Sequence, residues 1–168
     1  RSTLSSSSAA SDVYKRQYIP CQVTLTGIGK VEHLDNAGSV PVAPVGGVVS
    51  RQAYMLRIPL DFEYEKEIVE GTYYEYVLTD TIANIQIISL TAYDESHPAG
   101  TDVNELFMDY PLRQEDQLTD YKYGYMYGTV FYKIPRTLPQ AGVHRFKVVV
   151  TTRKGEEFTK ETDEITMQ

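Results

Sequence analysis

From residue 54 to residue 65 the chain alternates. Tyr54, Leu56, Ile58, Leu60, Phe62 and Tyr64 are separated by Met55, Arg57, Pro59, Asp61, Glu63 and Glu65. Successive strand side chains point to opposite faces, so this period of two predicts a strand with one buried and one solvated face. Pro59 has no N–H to give to a ladder, which predicts either an edge strand or a bulge there. Further strands are predicted at 22–26, 29–34, 73–78, 84–92, 124–134, 143–152 and 157–162, with 164–167 closing the chain. Each is short, rich in Val, Ile, Thr, Tyr or Phe, and bounded by turn residues. Many short strands and almost no helical pattern read as an all-β fold, an antiparallel immunoglobulin-like β-sandwich.

The connections support that reading. Asp35-Asn36-Ala37-Gly38 supplies side-chain acceptors and a permissive glycine for a turn, and Pro41, Pro44, Gly46 and Gly47 mark an extended loop behind it. Arg153-Lys154-Gly155-Glu156 joins two alternating runs and predicts a hairpin turn with Gly155 at positive φ. The single helix signal is Thr101-Asp102-Val103-Asn104-Glu105-Leu106-Phe107-Met108. Thr101 or Asp102 is its N-cap, and Asp102 with Glu105 has capping-box spacing. One short helix is therefore expected near residues 102–109, lying over an end or edge of the sandwich and stopping near Pro111.

Residues 1–17, RSTLSSSSAASDVYKRQ, are Ser-rich and basic, unlike everything after them. They lack the apolar stretch and small-residue cleavage site of a signal peptide. A transposon-type sequencing adapter translated in frame gives Ser7 to Gln17 without a mismatch. The expectation is a non-native, disordered, adapter-derived tail, with residues 18–168 forming a single β-sandwich domain. Without Arg1, Asp12, Lys15 and Arg16, residues 18–168 carry 13 basic and 22 acidic residues, a net charge of −9. So acidic a chain has no basic stripe to neutralise phosphates, which argues against a nucleic-acid partner. No apolar run approaches a membrane span.

Tyr121, Tyr123, Tyr125 and Tyr127 recur at every second position. In a strand the four rings would project from one face, a rail able to stack on sugar rings or receive an apolar peptide. The plainer reading is that half the rings pack in the core and the rest are ordinary strand tyrosines at a solvated or subunit-covered face, since β-propensity alone enriches Tyr. Gly124 and Gly128 weaken that strand and mark bends or bulges in it.

The loop from Asp94 to Glu105 concentrates oxygen ligands, but its spacing does not reproduce the twelve-residue calcium loop with glycine at position six. Turn formation and helix capping account for Asp94, Ser96, Thr101 and Asp102 without a metal. His33, His97 and His144 are far apart and none has metal-ligand spacing, so no metal and no cofactor is expected. There is no G-x-S-x-G, P-loop or dinucleotide-binding turn, and Gly27-Ile28-Gly29 lies between strands. No catalytic residue is assigned and the chain is not expected to be an enzyme, although a triad assembled from distant residues leaves no local signature. Cys21 is read as a buried strand thiol, with a disulfide partner upstream of Tyr18 as the alternative. The residues before it, Tyr18-Ile19-Pro20, do not resemble a lipobox.

Three stretches form a familiar order: Val31-Glu32-His33-Leu34-Asp35-Asn36-Ala37-Gly38 with Pro41-Val42, Ala53-Tyr54-Met55-Leu56-Arg57-Ile58, and His97-Pro98-Ala99-Gly100 leading to Asn104-Glu105-Leu106-Phe107. This order resembles a lipoprotein family of unknown function from Bacteroidetes. The run Pro139 to Val150, then a hairpin and a last strand, resembles the closing strands of immunoglobulin-like bacterial surface modules. The resemblance implies an exported β-sandwich in the cell envelope, outer-membrane-anchored or periplasmic. Its membrane association would run only through an N-terminal lipid anchor upstream of Tyr18, and its partner would be a glycan or a protein. It implies no catalytic residues.

Overall fold

The alternating run is β4 (Tyr54–Tyr64), and Tyr54, Leu56, Ile58 and Leu60 all point into the core. The computed structural model describes residues 18–110 and 130–168. Before β4 come β1 (Tyr18–Ile28), β2 (Glu32–Asp35) and the two-residue β3 (Val48–Val49). After it come β5 (Tyr73–Leu78), β6 (Ile82–Ser89), β7 (Phe107–Asp109), β8 (Val130–Pro135), β9 (Gly142–His144), β10 (Phe146–Thr152), β11 (Glu157–Glu161) and β12 (Ile165–Met167).

These strands form one larger sheet, ordered β5-β1-β4-β8-β7 with β2 also on β4, and two three-stranded sheets, β11-β10-β6 and β3-β12-β9. Leu25 and Ile28 of β1 and the inward residues of β4 meet Ile87 of β6 and Phe146, Val148 and Val150 of β10, while Ile165 and Met167 of β12 join the same cluster. The fold is all-β and sandwich-like, as the period of two predicts. Two pairings depart from the antiparallel expectation: β1 with β5 and β3 with β12 are parallel. The first follows from chain direction, because β5 runs opposite to β4 and docks on the far side of β1, itself antiparallel to β4.

β4 is a central strand, which corrects the edge alternative for Pro59. The bulge alternative holds. Ile28 pairs with Leu60 and Glu32 with Arg57, so Gly29, Lys30 and Val31 stand opposite only Ile58 and Pro59. Pro59 O accepts the Gly29 N–H at 2.9 Å. In an antiparallel strand a residue's N–H and C=O face the same neighbour, so the missing proline donor points at the bulge, where the ladder is interrupted anyway. A second irregularity, between Leu25 and Gly27 of β1, moves the inward position from odd to even numbering, so that Cys21, Val23 and Leu25 are followed inward by Ile28. Met55 departs from the alternation, being fully buried on the face opposite Tyr54, beside Leu34 of β2.

The expected helix is only a 3-10 turn, Asn104–Leu106, with no side-chain cap. Asp102 Oδ1 accepts from Asn104 N at 3.0 Å and from Ile87 N at 3.2 Å, and Val103 N donates to Ile87 O at 2.8 Å. Asp102, one of the two expected caps, thus bonds the edge of β6 and buries Val103. The chain leaves the turn straight into β7, where Phe107 enters the core. Tertiary pairing overrides the local helix signal.

Candidate functional site

The tyrosine rail, Tyr121, Tyr123, Tyr125 and Tyr127, lies outside the described residues, as do residues 1–17. Among the described residues the chemistry-bearing side chains group at three places.

The first is the loop after β6. Asp94 Oδ1 accepts from His97 Nδ1 at 2.7 Å and from Ser96 N at 2.9 Å, and Thr101 Oγ1 donates to Pro98 O at 2.6 Å. The His97 bond holds the Asp94 carboxyl below its ordinary range, with the Ser96 N–H adding to it against burial. Its oxygens act as turn acceptors, the structural role expected of them. Among the described residues no three His, Cys, Asp or Glu side chains are grouped to hold a metal ion.

The second place is an aromatic and histidine layer inside the core. His33 Nε2 lies 2.7 Å from Asp163 O and Nδ1 lies 2.6 Å from the Tyr54 hydroxyl. A carbonyl only accepts, so Nε2 carries the proton and Nδ1 accepts from the fully buried Tyr54. Burial pushes the His33 pKa down, partly offset by the Asp163 carbonyl. His144 is completely buried, stacked on Phe146 at 9° between ring planes, with Nε2 2.7 Å from Gln140 O. Among the described residues its Nδ1 has no hydrogen-bond partner, and burial lowers its pKa as well. Both rings are therefore held neutral and serve the framework. A polar hollow of about 170 Å³ lies over His33, lined by Lys30, Glu32, Asp163 and Glu164 among others.

The third place is a cleft of about 250 Å³ at the end of the gap between the two facing sheets. Leu25 of β1 and Phe62 of β4 are cross-strand partners on its floor, and Leu78 at the end of β5 and Ile82 of β6 form its sides. The link from β5 to β6, through Thr79, Asp80 and Thr81, crosses between sheets at its mouth. It is bonded at both ends: Thr79 N donates to Val23 O at 3.0 Å, and Arg153 N donates to Thr81 O at 2.8 Å. Lys154 N donates to Asp80 Oδ1 at 3.1 Å. Burial would push the Asp80 carboxyl up, but the Thr152 hydroxyl and the Lys154 and Thr81 N–H groups outweigh it and its pKa falls. Arg153 stands on the rim, exposed, and among the described residues its guanidinium has no ion-pair partner. The hairpin turn beside it has the expected shape, with Gly155 at φ 91°.

Nothing local in the sequence marks this cleft, because its walls come from four separate strands. Arg153 reads there only as a turn residue. Cys21 is a buried strand thiol, as expected, and is free. It lies with Val23, Tyr74 and Tyr76 in a second, smaller cluster under β5.

No curated protein and no solved structure matches the chain. A family model does, over residues 28–163. That span takes in β2 to β11, most of both facing sheets and most of the cleft, and the chain accordingly belongs to the family described as Domain of unknown function (DUF5034).

Proposed function

We propose that the protein is a noncatalytic binding module of the cell envelope, carried on a β-sandwich and anchored through a lipid on a segment upstream of Tyr18. The observation that carries the binding role is the cleft between the sheets, whose apolar walls are held apart by backbone bonds across its mouth. The noncatalytic role is supported by the histidines: the two core rings are neutral and bonded to carbonyls, and His97 is bonded to the Asp94 turn. The envelope location is supported by the resemblance to exported lipoproteins in the stretches around His33, Met55 and His97. The test is the intact gene expressed from its own start codon with radiolabelled palmitate. Label on the product, and its recovery with membranes, is the expected result. A start codon without an export signal, and an unlabelled product in the cytosolic fraction, would overturn the envelope reading.

A second reading places recognition of a glycan or peptide on Tyr121, Tyr123, Tyr125 and Tyr127, supported by their spacing of two. Replacing Tyr123 and Tyr125 together by Ala and screening a glycan and peptide array tests it. Loss of a ligand that the unaltered chain binds is the supporting result.

A further inference from the structure

We propose that the cleft between the sheets binds a small amphipathic carboxylate, with its apolar body on Phe62, Leu78 and Ile82 and its carboxylate at Arg153. The proposal rests on the binding role proposed above and adds the chemistry of the ligand. The cleft opens to solvent and its apolar walls are only half buried, so a ligand that covers them gains burial that the fold leaves unused. Here about 250 Å³ stays open beside half-buried Phe62, Leu78 and Ile82, at a place where the two sheets could otherwise close. The crossover prevents closure: its bonds to Val23 and to the β10–β11 hairpin set the spacing of the sheets at that end. A cavity of about 150 Å³ takes benzene, so this one takes a body of roughly ten non-hydrogen atoms.

The polar groups at the mouth choose the head group. Asp80 faces the cleft, but its carboxylate already accepts from the hairpin backbone at Lys154 N and from the Thr152 hydroxyl. Among the described residues Arg153 is the rim's unengaged charge, and a guanidinium pairs best with a planar carboxylate through two parallel hydrogen bonds. The hollow over His33 does not compete as a site for such a ligand, since its walls are polar and both ring nitrogens are bonded.

The test uses the full chain with carbon-13-labelled Leu and Ile methyl groups, titrated by NMR with octanoate, octan-1-ol and the dipeptide N-acetyl-alanyl-phenylalanine. Octanoate is expected to shift the methyls of Leu25, Leu78 and Ile82 saturably. Arg153→Gln should weaken octanoate by roughly fivefold, the scale of an exposed ion pair, and leave octan-1-ol unchanged. Ile82→Phe, which fills the cleft, should abolish both. Should that variant fail to fold, Arg153→Gln still decides, since only its main chain holds the crossover. Binding of the dipeptide with the same dependence on Arg153 would identify a peptide C-terminus as the source, and binding of octanoate alone a free acid. No saturable shift with octanoate, or equal affinities for octanoate and octan-1-ol in both chains, would overturn the proposal. Saturable shifts with octan-1-ol and none with octanoate would sink the carboxylate and leave the binding role standing, whereas no shift with any of the three ligands would count against both.

Discussion

His33 is held between a carbonyl that can only accept and a phenol that has no second partner among the described residues. Protonation at Nδ1 would turn the ring from acceptor to donor there and leave the Tyr54 hydroxyl proton facing the core. The same pair gives two predictions. Tyr54→Phe strands the Nδ1 lone pair and should lower stability by about 1–2 kcal/mol, read as a lower urea midpoint at unchanged slope. The pH dependence follows from the direction of the shifts. Burial holds His33 and His144 below 6.5 in the native state, so as the pH falls the unfolded chain takes up protons first. Their contribution is fully present above about pH 7 and declines below it, by up to about 1.4 kcal/mol per pH unit for each ring, until the native state is protonated too. Asp80 and Asp94, held below 3.8, act in the same sense at lower pH. Urea melts at pH 7.5 and pH 5 test this, and equal or greater stability at pH 5 would contradict it. That His33 belongs to the framework was not visible in the sequence, because its partners lie 21 and 130 residues away.

At the scale of elements, the bulge opposite Pro59 lets a proline sit in the central strand. A Cβ at Gly29 would lie 3.0 Å from Pro59 Cγ and 3.3 Å from Asp61 Oδ1, whereas one at Gly27 would meet nothing within 4 Å. The proline ring cannot rotate away, so Gly29→Ala should cost about 1–2 kcal/mol by overpacking. Gly27→Ala should be neutral or stabilise by up to about 1 kcal/mol through the unfolded chain. Thermal melts of the two variants check the contrast, and equal shifts would mean that the bulge does not hold the proline. Elements were legible where a pattern was long enough to have a period. β5 matches its predicted bounds, and β4, β6, β10 and β11 lie within a few residues of theirs. The two-residue β3 and three-residue β7 carry no period and are set by their partners β12 and β8. The helix failed for the converse reason. The acceptor that would have capped it bonds Ile87, and so the edge of β6, a contact no local window contains.

For the whole molecule, the alternation predicted the facing sheets but not what lies at their end. A cleft formed by the ends of four strands depends on register and on one crossover, and neither is written in any single segment. The same nonlocality decides how much chain the fold needs. The family match covers residues 28–163, yet Val23 and Leu25 of β1 and Ile165 and Met167 of β12 are all buried, on either side of that span. β12 also ties the small sheet together, with Gln168 N donating to Val49 O and Arg51 N to Gln168 O, both at 3.0 Å. Burying Ile165 and Met167 alone stabilises by about 3–6 kcal/mol, a large part of the 5–15 kcal/mol typical of a domain. β1 contributes more, because it lies between β5 and β4 and its loss would leave β5 without a partner strand among the described residues. A chain trimmed to residues 28–163 should therefore show no cooperative urea transition and poorly dispersed amide resonances, while residues 18–168 unfold in one transition. A cooperative transition in the trimmed chain would show that the family span is a folding unit by itself, with β1 and β12 as additions to it.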